Sequence, residues 1–424
     1  MIRKLLFWSV AVVFPLPLVL TYYFQSSDPW RLKYYILLGL IAYTWWLLSI
    51  VLSVRPPWLD RLVGLASIYG LHGMLGVLAV VAAYIHSENG YAPNRVARFL
   101  GDWGFYGAVT TLCFAVFFLS GWLVDRSMLL LRIKRFLEIV FRHQLSVWIH
   151  RLNLVIVAMI WLHAHLLERV SQHFIFMTLF DLYTVTALGI YAWKKWIAPD
   201  SYLLGTVQRN DSRGETTRRV SVALDHEAAK LQPGDFFFLS FEGSTAVSRE
   251  WHPFSVTDDD RKTLTFTIRQ HGNFTRRLGN LETGTRVRLE GPFGRFDSIA
   301  QGQDSDAPLV LIGMGAGVAP LLSLTAAHHP TRQIHLLWSV RRKGDIYYRD
   351  KLEEYRAASG GRLQISTRIG RFRKDDLTAV LPAEVVAKGA FFIVGPNIAV
   401  LSTQRLLRRI GVSARRIHQE RLTM

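Results

Sequence analysis

The stretch Leu309-Val-Leu-Ile-Gly-Met-Gly-Ala-Gly-Val-Ala-Pro320 decides the fold of the C-terminal part of this chain. Its apolar start predicts a buried strand, its glycines predict a tight turn, and a helix follows. Gly313, Gly315 and Gly317 would let backbone amides approach a pyrophosphate at the N-terminus of that helix. A second apolar run, Ile334–Trp338, predicts the next strand. This order predicts an α/β nucleotide-binding unit, although a strand-to-helix turn without a ligand has the same glycines.

Basic side chains follow the second strand of this unit. Arg341 and Arg342 stand where the adenosine ribose of a dinucleotide is expected, and no acidic residue is there to accept a 2′-hydroxyl. Paired arginines suit a 2′-phosphate, and Arg371 is a further basic residue of this kind. The pattern favours NADPH over NADH, but the same arginines are also compatible with an ordinary surface on a basic domain.

Upstream of this unit, short alternating apolar runs separated by turn residues predict the strands of a small antiparallel barrel. The predicted strands are Thr206–Val207, Arg219–Ala223, Phe236–Phe241, Leu264–Ile268 and Arg286–Leu289. Trp251-His-Pro-Phe-Ser255 is interpreted as the end of a strand with a rigid turn. Gly272-Asn-Phe-Thr275 offers backbone amides and a hydroxyl to an anion, and each segment is also compatible with a plain turn. We place a barrel domain over 199–302 and an α/β domain over 303–424.

The N-terminal half has a different composition. Of 50 Lys+Arg and 32 Asp+Glu, residues 1–198 hold only 17 and 8, and long apolar stretches take their place. Crossing a bilayer takes about 20 residues in a helix. Stretches near that length are Leu5–Phe24, Tyr34–Val54, Leu62–Ile85, Trp103–Val124, Val147–Leu167 and Phe174–Trp193. The first has the basic start of a signal peptide, but it contains Pro15 and Pro17 and lacks a small-residue cleavage site, so we predict six membrane helices.

Basic residues in the loops predict the orientation of these spans. Alternate assignment of the loops puts eleven on one side and five on the other. The group of eleven is Arg3, Lys4, Arg55, Arg61, Arg126, Arg132, Lys134, Arg135, Arg142, Lys194 and Lys195. The group of five is Arg31, Lys33, Arg95, Arg98 and Arg169. The positive-inside rule then places both termini in the cytoplasm of a multi-pass plasma (inner) membrane protein.

Charge and cysteine content exclude other classes of protein. The two halves each contribute +9 to the net charge of +18, so no basic tail indicates binding of nucleic acid. An even spread is typical of a basic face beside the lipid bilayer and phosphate-bearing cofactors. The single cysteine, Cys113, excludes disulfides, zinc–thiolate sites and iron–sulfur clusters.

Histidines occur within the predicted spans, where an ionisable side chain is costly and is a functional candidate by default. His72 and His86 are 14 residues apart on the third span, or about 21 Å of helix rise. His150 and His163 are 13 apart on the fifth, or about 19.5 Å. Because both helices run in the same direction, we expect His72 to pair with His150, and His86 with His163. Imidazole is an axial ligand of haem iron, whereas two donors without carboxylate or thiolate fall short of a zinc site.

Two histidines of the fifth span, His163 and His165, are candidates for the outer ligand. Thirteen residues make about 3.6 helical turns, so His163 is rotated away from His150 on an ideal helix, and His165 is closer in angle. His163 as the ligand requires a helix irregularity or a tilt. A lone membrane histidine also has the simpler role of a hydrogen-bond partner for a neighbouring helix.

These residues resemble the ferric reductase and NADPH oxidase superfamily, especially its short prokaryotic NADPH-oxidase-like members, over essentially the whole chain. The six-helix domain of that family carries two b-type haems on helices three and five, with the 14- and 13-residue histidine spacings found in this chain. His150-Arg-Leu152 resembles the start of the family's fifth helix, which favours His163 as the ligand.

The resemblance also assigns cofactor residues in the C-terminal half. His252-Pro-Phe-Ser255 resembles a motif that lies along the isoalloxazine and ribityl of FAD, and Arg269 and Thr275 would hold the FAD pyrophosphate. The residues assigned to FAD are Trp251, His252, Pro253, Phe254, Ser255, Arg269, Gly272, Phe274 and Thr275. Those assigned to NADPH are Gly313, Gly315, Gly317, Val318, Pro320, Arg341, Arg342, Arg371, Gly395 and Pro396. Val394 stands where the family has cysteine, and the C-terminus lacks the aromatic residue that commonly stacks on the flavin.

The resemblance implies a membrane α-helical fold, a six-helix haem-binding bundle over 1–198, fused to a cytoplasmic ferredoxin-NADP reductase-like module. That module has an antiparallel β-barrel FAD domain and an α/β Rossmann-like NADPH domain. The implied activity is an NADPH oxidase that moves electrons through FAD and two b-type haems to oxygen, producing superoxide. A ferric-chelate reductase with the same path is one alternative, and a transporter with a regulatory nucleotide domain is another. No calcium-binding loop precedes the spans, so we expect activity without calcium or an obligate protein partner.

Overall fold

The computed structural model describes residues 2–90, 92–119, 128–137, 143–198, 202–228, 231–245 and 247–422. The end of the predicted fourth span, Arg126, Arg142 and the predicted domain boundary at Pro199 lie outside these residues. The chain divides into two compact units, Met1–Pro199 and Asp200–Met424.

The first unit is helical. Its helices are α1 (Ile2–Val13), α2 (Leu16–Gln25), α3 (Trp30–Ser53), α4 (Pro57–Val63), α5 (Leu65–Asn89), α6 (Arg95–Phe118), α7 (Met128–Leu137), α8 (His143–Arg151), α9 (Asn153–His165), α10 (Glu168–Ser171) and α11 (Phe174–Ala192). A π-helical turn, Trp193–Ile197, continues α11. Within the described residues, six helical segments are long and apolar enough to cross a membrane. They are Arg3–Gln25, Trp30–Ser53, Leu65–Asn89, Arg95–Phe118, Leu145–His165 and Phe174–Ile197.

The fourth of these segments begins eight residues before the predicted Trp103, because Asn94 caps it. The Asn94 side-chain oxygen accepts hydrogen bonds from the amides of Val96 (2.8 Å) and Ala97 (3.2 Å). An asparagine in this position satisfies amides that have no partner within the helix. The arginines and glycines of the first turns lower the local hydropathy, so the apolar count alone places the start too late.

The second unit begins with a closed barrel. Its strands are β1 (Leu203–Ser212), β2 (Thr217–Leu224), β3 (Phe236–Glu242), β4 (His252–Asp259), β5 (Thr263–Arg269) and β6 (Arg286–Phe293), with α12 (Asn273–Arg277) after β5. They close antiparallel in the order β1-β2-β5-β4-β3-β6. The interpretation of Trp251–Ser255 as a strand end and turn is wrong, since His252 begins β4. Pro253 is tolerated because it is only the second residue of that strand, opposite Phe238.

A parallel five-stranded sheet follows in the order β11-β10-β7-β8-β9. Its strands are β7 (Leu309–Met314), β8 (Ile334–Val340), β9 (Leu363–Ile369), β10 (Ala390–Gly395) and β11 (Ile417–Arg421). The helices are α13 (Phe296–Gln301), α14 (Ala319–His328), α15 (Arg349–Ala358), α16 (Lys374–Val380), α17 (Ala383–Lys388) and α18 (Asn397–Arg409). Every residue of β7, β8 and β10 is buried, as continuous apolar runs in a doubly covered sheet require.

Candidate functional site

The four histidines predicted from the spans lie in two pairs. The ring centroids of His72 on α5 and His150 on α8 are 5.9 Å apart. Those of His86 on α5 and His163 on α9 are 6.5 Å apart. All four rings are partly buried. The pairing between the two helical segments is the one that the spacing predicts.

Backbone carbonyls orient three of these rings. The Nδ1 atom of His72 lies 3.0 Å from the carbonyl oxygen of Ser49. The Nδ1 atom of His86 lies 2.8 Å from the carbonyl oxygen of Tyr35. The Nδ1 atom of His163 lies 2.7 Å from the carbonyl oxygen of Ala97. A carbonyl oxygen only accepts, so each Nδ1 carries the proton and donates it. The lone pair is then on Nε2, the state that a metal ligand needs. Nδ1 of His150 is buried without a hydrogen-bond partner among the described residues.

The spacing of the rings fits one metal atom between the members of each pair. A nitrogen–metal bond of about 2 Å on each side would put opposed ring centroids about 6 Å apart. Within the described residues, no three side chains of His, Cys, Asp or Glu come together as a metal site. Two imidazoles per site therefore suit a haem iron, which brings four further ligands in its macrocycle.

A break in the fifth span resolves the angular misfit of His163. Helix α8 ends at Arg151 and α9 begins at Asn153, with Leu152 between them. The Leu152 amide donates to the Ile149 carbonyl at 3.0 Å, a tighter turn than α-helix. Asn153 donates from Nδ2 to the His150 carbonyl (2.7 Å), and Asn153 Oδ1 accepts a hydrogen bond from the Thr111 hydroxyl (3.0 Å). This irregularity is the one that the 13-residue spacing requires.

His165 faces a different partner. Its Nε2 lies 3.2 Å from Asp181 Oδ1, and its ring lies 4.2 Å from that of Trp161, centroid to centroid. Trp161 Nε1 donates to the same carboxylate at 2.7 Å. His163, rather than His165, is therefore the ring opposite His86. The helical angle favoured His165 only because it assumed an unbroken helix.

Aromatic side chains of the barrel cluster beside β4. The ring of Phe274, on α12, lies 3.7 Å from that of His252 and 6.4 Å from that of Phe254, with an angle of 18° in the latter pair. His252 Nε2 lies 3.2 Å from Glu250 Oε2. Ser255 follows on the same strand and is buried. The structure thus brings together the two motifs assigned to FAD, which are far apart in sequence.

Other residues assigned to FAD have partners within the protein. Trp251 packs against Tyr202 at 5.0 Å between centroids, and the Arg288 guanidinium lies over the Tyr202 ring. The buried Thr275 hydroxyl accepts from the amide of His271 and donates to its carbonyl. Thr275 therefore closes its own turn, which begins at Gly272 with a φ of 91°. Its hydroxyl is already engaged within this turn.

The glycine turn of the sheet domain is closed by its neighbours. Gly315 has a φ of 59°, a conformation that favours glycine. A Cβ on Gly317 would lie 2.2 Å from the Val394 carbonyl oxygen, so the end of β10 passes directly against the turn. A Cβ on Gly395 would lie 2.7 Å from Met314 Cβ. Buried Val318 and Pro320 follow at the start of α14, while Pro396 is the N-cap residue of α18.

Arg269 connects the two predicted cofactor regions. A Cβ on Gly315 would be 3.4 Å from Arg269 Nη1, so this guanidinium lies beside the glycine turn. Tyr348, on the loop before α15, accepts or donates a 2.7 Å hydrogen bond with Thr267 of β5. Burial raises the pKa of the Tyr348 phenol, so it stays neutral at physiological pH. The FAD and dinucleotide motifs therefore meet where the barrel joins the sheet.

The predicted arginines have different environments. Arg342 is paired with Glu215 of the β1–β2 turn, and Arg341 is exposed. Arg371 lines a cavity of 520 Å³ at the carboxyl end of β9. Further lining residues are Arg368, Phe372, Arg373, Lys374, Ser402 and Leu406. Basic and apolar side chains both line this cavity.

The comparisons with known proteins agree with this geometry. Residues 205–297 match the family model described as oxidoreductase FAD-binding domain, and residues 311–381 match oxidoreductase NAD-binding domain. Neither match enters the first unit, and no ferric reductase transmembrane family matches it. The prediction of FAD and nicotinamide binding in the second unit is confirmed. The second unit is an FAD- and NAD(P)H-binding oxidoreductase module.

Curated relatives of this oxidoreductase are reductase components. The reductase subunit of aromatic O-demethylase from Amycolatopsis sp. is 28% identical over 236 residues, which are 52% of this chain and 69% of the relative. The reductase component of propane 2-monooxygenase from Rhodococcus jostii is 31% identical over 170 residues, 36% of this chain and 44% of the relative. The crystal structure of the Amycolatopsis cytochrome P450 reductase GcoB is 27% identical, with a TM-score of 0.47, over 53% of this chain and 70% of that one.

Sequence reasoning missed several side chains that shape the oxidoreductase site. Trp338, buried in β8, donates from Nε1 to the Gly315 carbonyl at 3.0 Å. Met314 accepts from the Thr403 hydroxyl at 3.7 Å between oxygen and sulfur. Tyr347 packs on Trp338, and burial raises the pKa of its phenol. The continuous apolar run around Trp338 predicted a buried strand, but it did not predict the contact between Trp338 and the glycine turn.

Proposed function

We propose that this chain is a transmembrane NADPH oxidase. It would move electrons from cytoplasmic NADPH through FAD and two b-type haems to oxygen on the other side of the membrane, producing superoxide. The observation that carries the proposal is the pair of histidine levels on α5 and the α8–α9 segment, in the same chain as a flavin and nicotinamide module. The excess of basic loop residues on one side supports cytoplasmic termini in an inner membrane.

FAD and haem supply the chemistry that side chains lack, since flavin accepts the electron pair of a nicotinamide and releases single electrons that haem iron carries. Within the protein, His72 with His150 would hold the inner iron, and His86 with His163 the outer one. The protonated Nδ1 atoms keep three of these four rings turned so that Nε2 is available. The same hydrogen bonds resist rotation of the rings.

The C-terminal unit would bind the two nucleotides side by side. His252, Phe254 and Phe274 offer an aromatic cluster for a flavin ring, and Arg269 offers a cation between the barrel and the glycine turn. The amides of the turn at Gly315, at the start of α14, suit a pyrophosphate. Val394, where the resembled family has cysteine, places an apolar side chain at the end of β10.

The arrangement of the histidines favours one-electron reduction of the acceptor. Two histidines would hold each iron, so each haem would supply single electrons rather than a binding site for oxygen, and superoxide is the expected product. A ferric-chelate reductase is the second candidate, because the same path can deliver single electrons to iron. The short loop between α5 and α6 offers no cluster of acidic or histidine side chains for a chelate among its described residues.

The acceptor can be tested on the purified protein with its cofactors. We expect NADPH-dependent reduction of cytochrome c that superoxide dismutase abolishes, and we expect this rate to exceed the reduction of Fe(III)-citrate under anaerobic conditions. Dye reduction that superoxide dismutase does not affect, together with faster reduction of the chelate, would assign the ferric reductase activity instead. A protein without haem absorption would contradict both candidates.

Preference for NADPH should depend on the exposed arginines of the sheet domain. We expect replacement of both Arg341 and Arg371 by glutamine to raise the KM for NADPH roughly 10–100-fold, since hydrogen bonds between charged groups contribute about 1.5–3 kcal/mol. The KM for NADH should change little. Arg342→Gln is the matched control, because Glu215 already pairs with this side chain. Equal changes for both nucleotides would show that these arginines do not contact the 2′-phosphate.

A further inference from the structure

The outer histidine on α5 rests on a glycine of α3. His86 donates from Nδ1 to the Tyr35 carbonyl, and a Cβ on Gly39 would lie 2.9 Å from the same nitrogen. Real Cβ atoms essentially never approach a ring so closely. The imidazole therefore occupies the space that any other residue at position 39 would need.

The outer histidine on α9 has the same arrangement on a different helix. His163 donates from Nδ1 to the Ala97 carbonyl of α6, and a Cβ on Gly101 would lie 2.9 Å from that nitrogen. In both cases the carbonyl belongs to residue i and the glycine to residue i+4 of one helix. We call each carbonyl and its glycine, Tyr35 with Gly39 and Ala97 with Gly101, a histidine seat.

Helix geometry explains why the residue four positions after the carbonyl must be small. Side chains of an α-helix tilt towards its N-terminus, so the side chain at i+4 covers the carbonyl of residue i. Glycine at i+4 leaves this carbonyl open from the side. An imidazole from a neighbouring helix can then reach the oxygen although that oxygen already accepts the helical hydrogen bond.

The inner pair is held differently. His72 donates to the Ser49 carbonyl, but the residue four positions later is Ser53, whose hydroxyl is turned to the Ile50 carbonyl. His150 has no partner for Nδ1 among the described residues. Two seats on two helices therefore distinguish the outer pair from the inner pair.

We propose that Gly39 and Gly101 are positioning residues that set the two outer imidazoles opposite one another for the outer haem iron. The proposal rests on the proposed function, because it takes the His86–His163 pair to be a haem site. A methyl group at either position would push the ring away from its carbonyl, so that Nε2 would no longer point at its partner ring. The inner pair, without glycine seats, would keep its geometry.

The first test compares glycine-to-alanine variants of the whole protein. We expect Gly39→Ala and Gly101→Ala to lower the haem content from two per protein towards one, or to shift the low-spin EPR signal of one haem and leave the other unchanged. Gly189→Ala on α11 is the matched control, because a Cβ there meets nothing within 4 Å. Two haems with unchanged EPR signals in both seat variants would overturn the proposal. Absence of haem from the wild-type protein would instead contradict the proposed function.

A double-mutant cycle keeps the proposal testable if the seat variants are unstable. The clash involves the His163 ring, so Gly101→Ala should lower the unfolding temperature of the otherwise wild-type protein but should lower it no further in a His163→Ala background. The corresponding cycle uses Gly39 and His86. An equal loss of stability in both backgrounds would show that the methyl group meets something other than the imidazole.

Discussion

We expect replacement of His72 or His150 by alanine to remove one haem and to abolish the proposed electron transfer across the membrane, whereas NADPH should continue to reduce the flavin. The two side chains form the inner pair, with 5.9 Å between their ring centroids, and neither lies in the unit that matches the FAD and NAD domain families. Each of these histidines would bind the haem iron directly, so its replacement would remove a metal bond. We therefore expect the loss of superoxide production to exceed the roughly 10–100-fold that loss of an outer-shell partner costs.

Haem content and flavin reduction can be measured on the same detergent-purified variants. The reduced-minus-oxidised spectrum should show half the wild-type haem, and flavin bleaching on addition of NADPH should keep its rate. His165→Ala is the matched control, since this histidine lies on the same helix as His163 but faces Asp181. Slower flavin bleaching in the His72 or His150 variant would contradict the separation of the two units' roles.

Gly317→Ala should slow reduction of the flavin by NADPH without affecting the proposed haem sites. The added Cβ would lie 2.2 Å from the Val394 carbonyl oxygen, and neither backbone segment can turn aside as a long side chain would. Overpacking of a well-packed core typically costs about 1–3 kcal/mol, and displacement of the turn would also move the amides that we propose to bind the pyrophosphate. We expect kcat/KM for NADPH to fall by more than about tenfold, which corresponds to 1.4 kcal/mol.

Dithionite separates this effect from general damage, because it reduces the cofactors without binding at the glycine turn. After anaerobic reduction with dithionite and removal of the excess reductant, the cofactors should be reoxidised by oxygen at the same rate in Gly317→Ala and in the wild-type protein. Gly279→Ala is the control, since a Cβ there makes ordinary contact at 3.5 Å with Gln270. A wild-type KM for NADPH in the Gly317 variant would exclude the turn from nucleotide binding.

Features with a local cause could be predicted well from the sequence. The apolar spans follow from length and hydropathy, and the barrel and parallel sheet follow from alternating and continuous apolar runs. The pairing of His72 with His150 follows from helical rise alone. The start of β4 and the start of α6 were harder to predict. A proline such as Pro253 can lie near the start of a strand, and a capping residue such as Asn94 can start a helix well before its apolar stretch.

The sequence by itself determined which segments are helices and strands, which histidines share a depth, and which turn suits a dinucleotide. These properties depend on residues close together in the chain. Only the tertiary structure decided that His163 rather than His165 faces His86. It also decided that the outer rings lie against Gly39 and Gly101, and that Arg342 forms an ion pair with Glu215. Each of those depends on one helix break or on a contact between residues far apart in sequence, and periodicity carries no information about either.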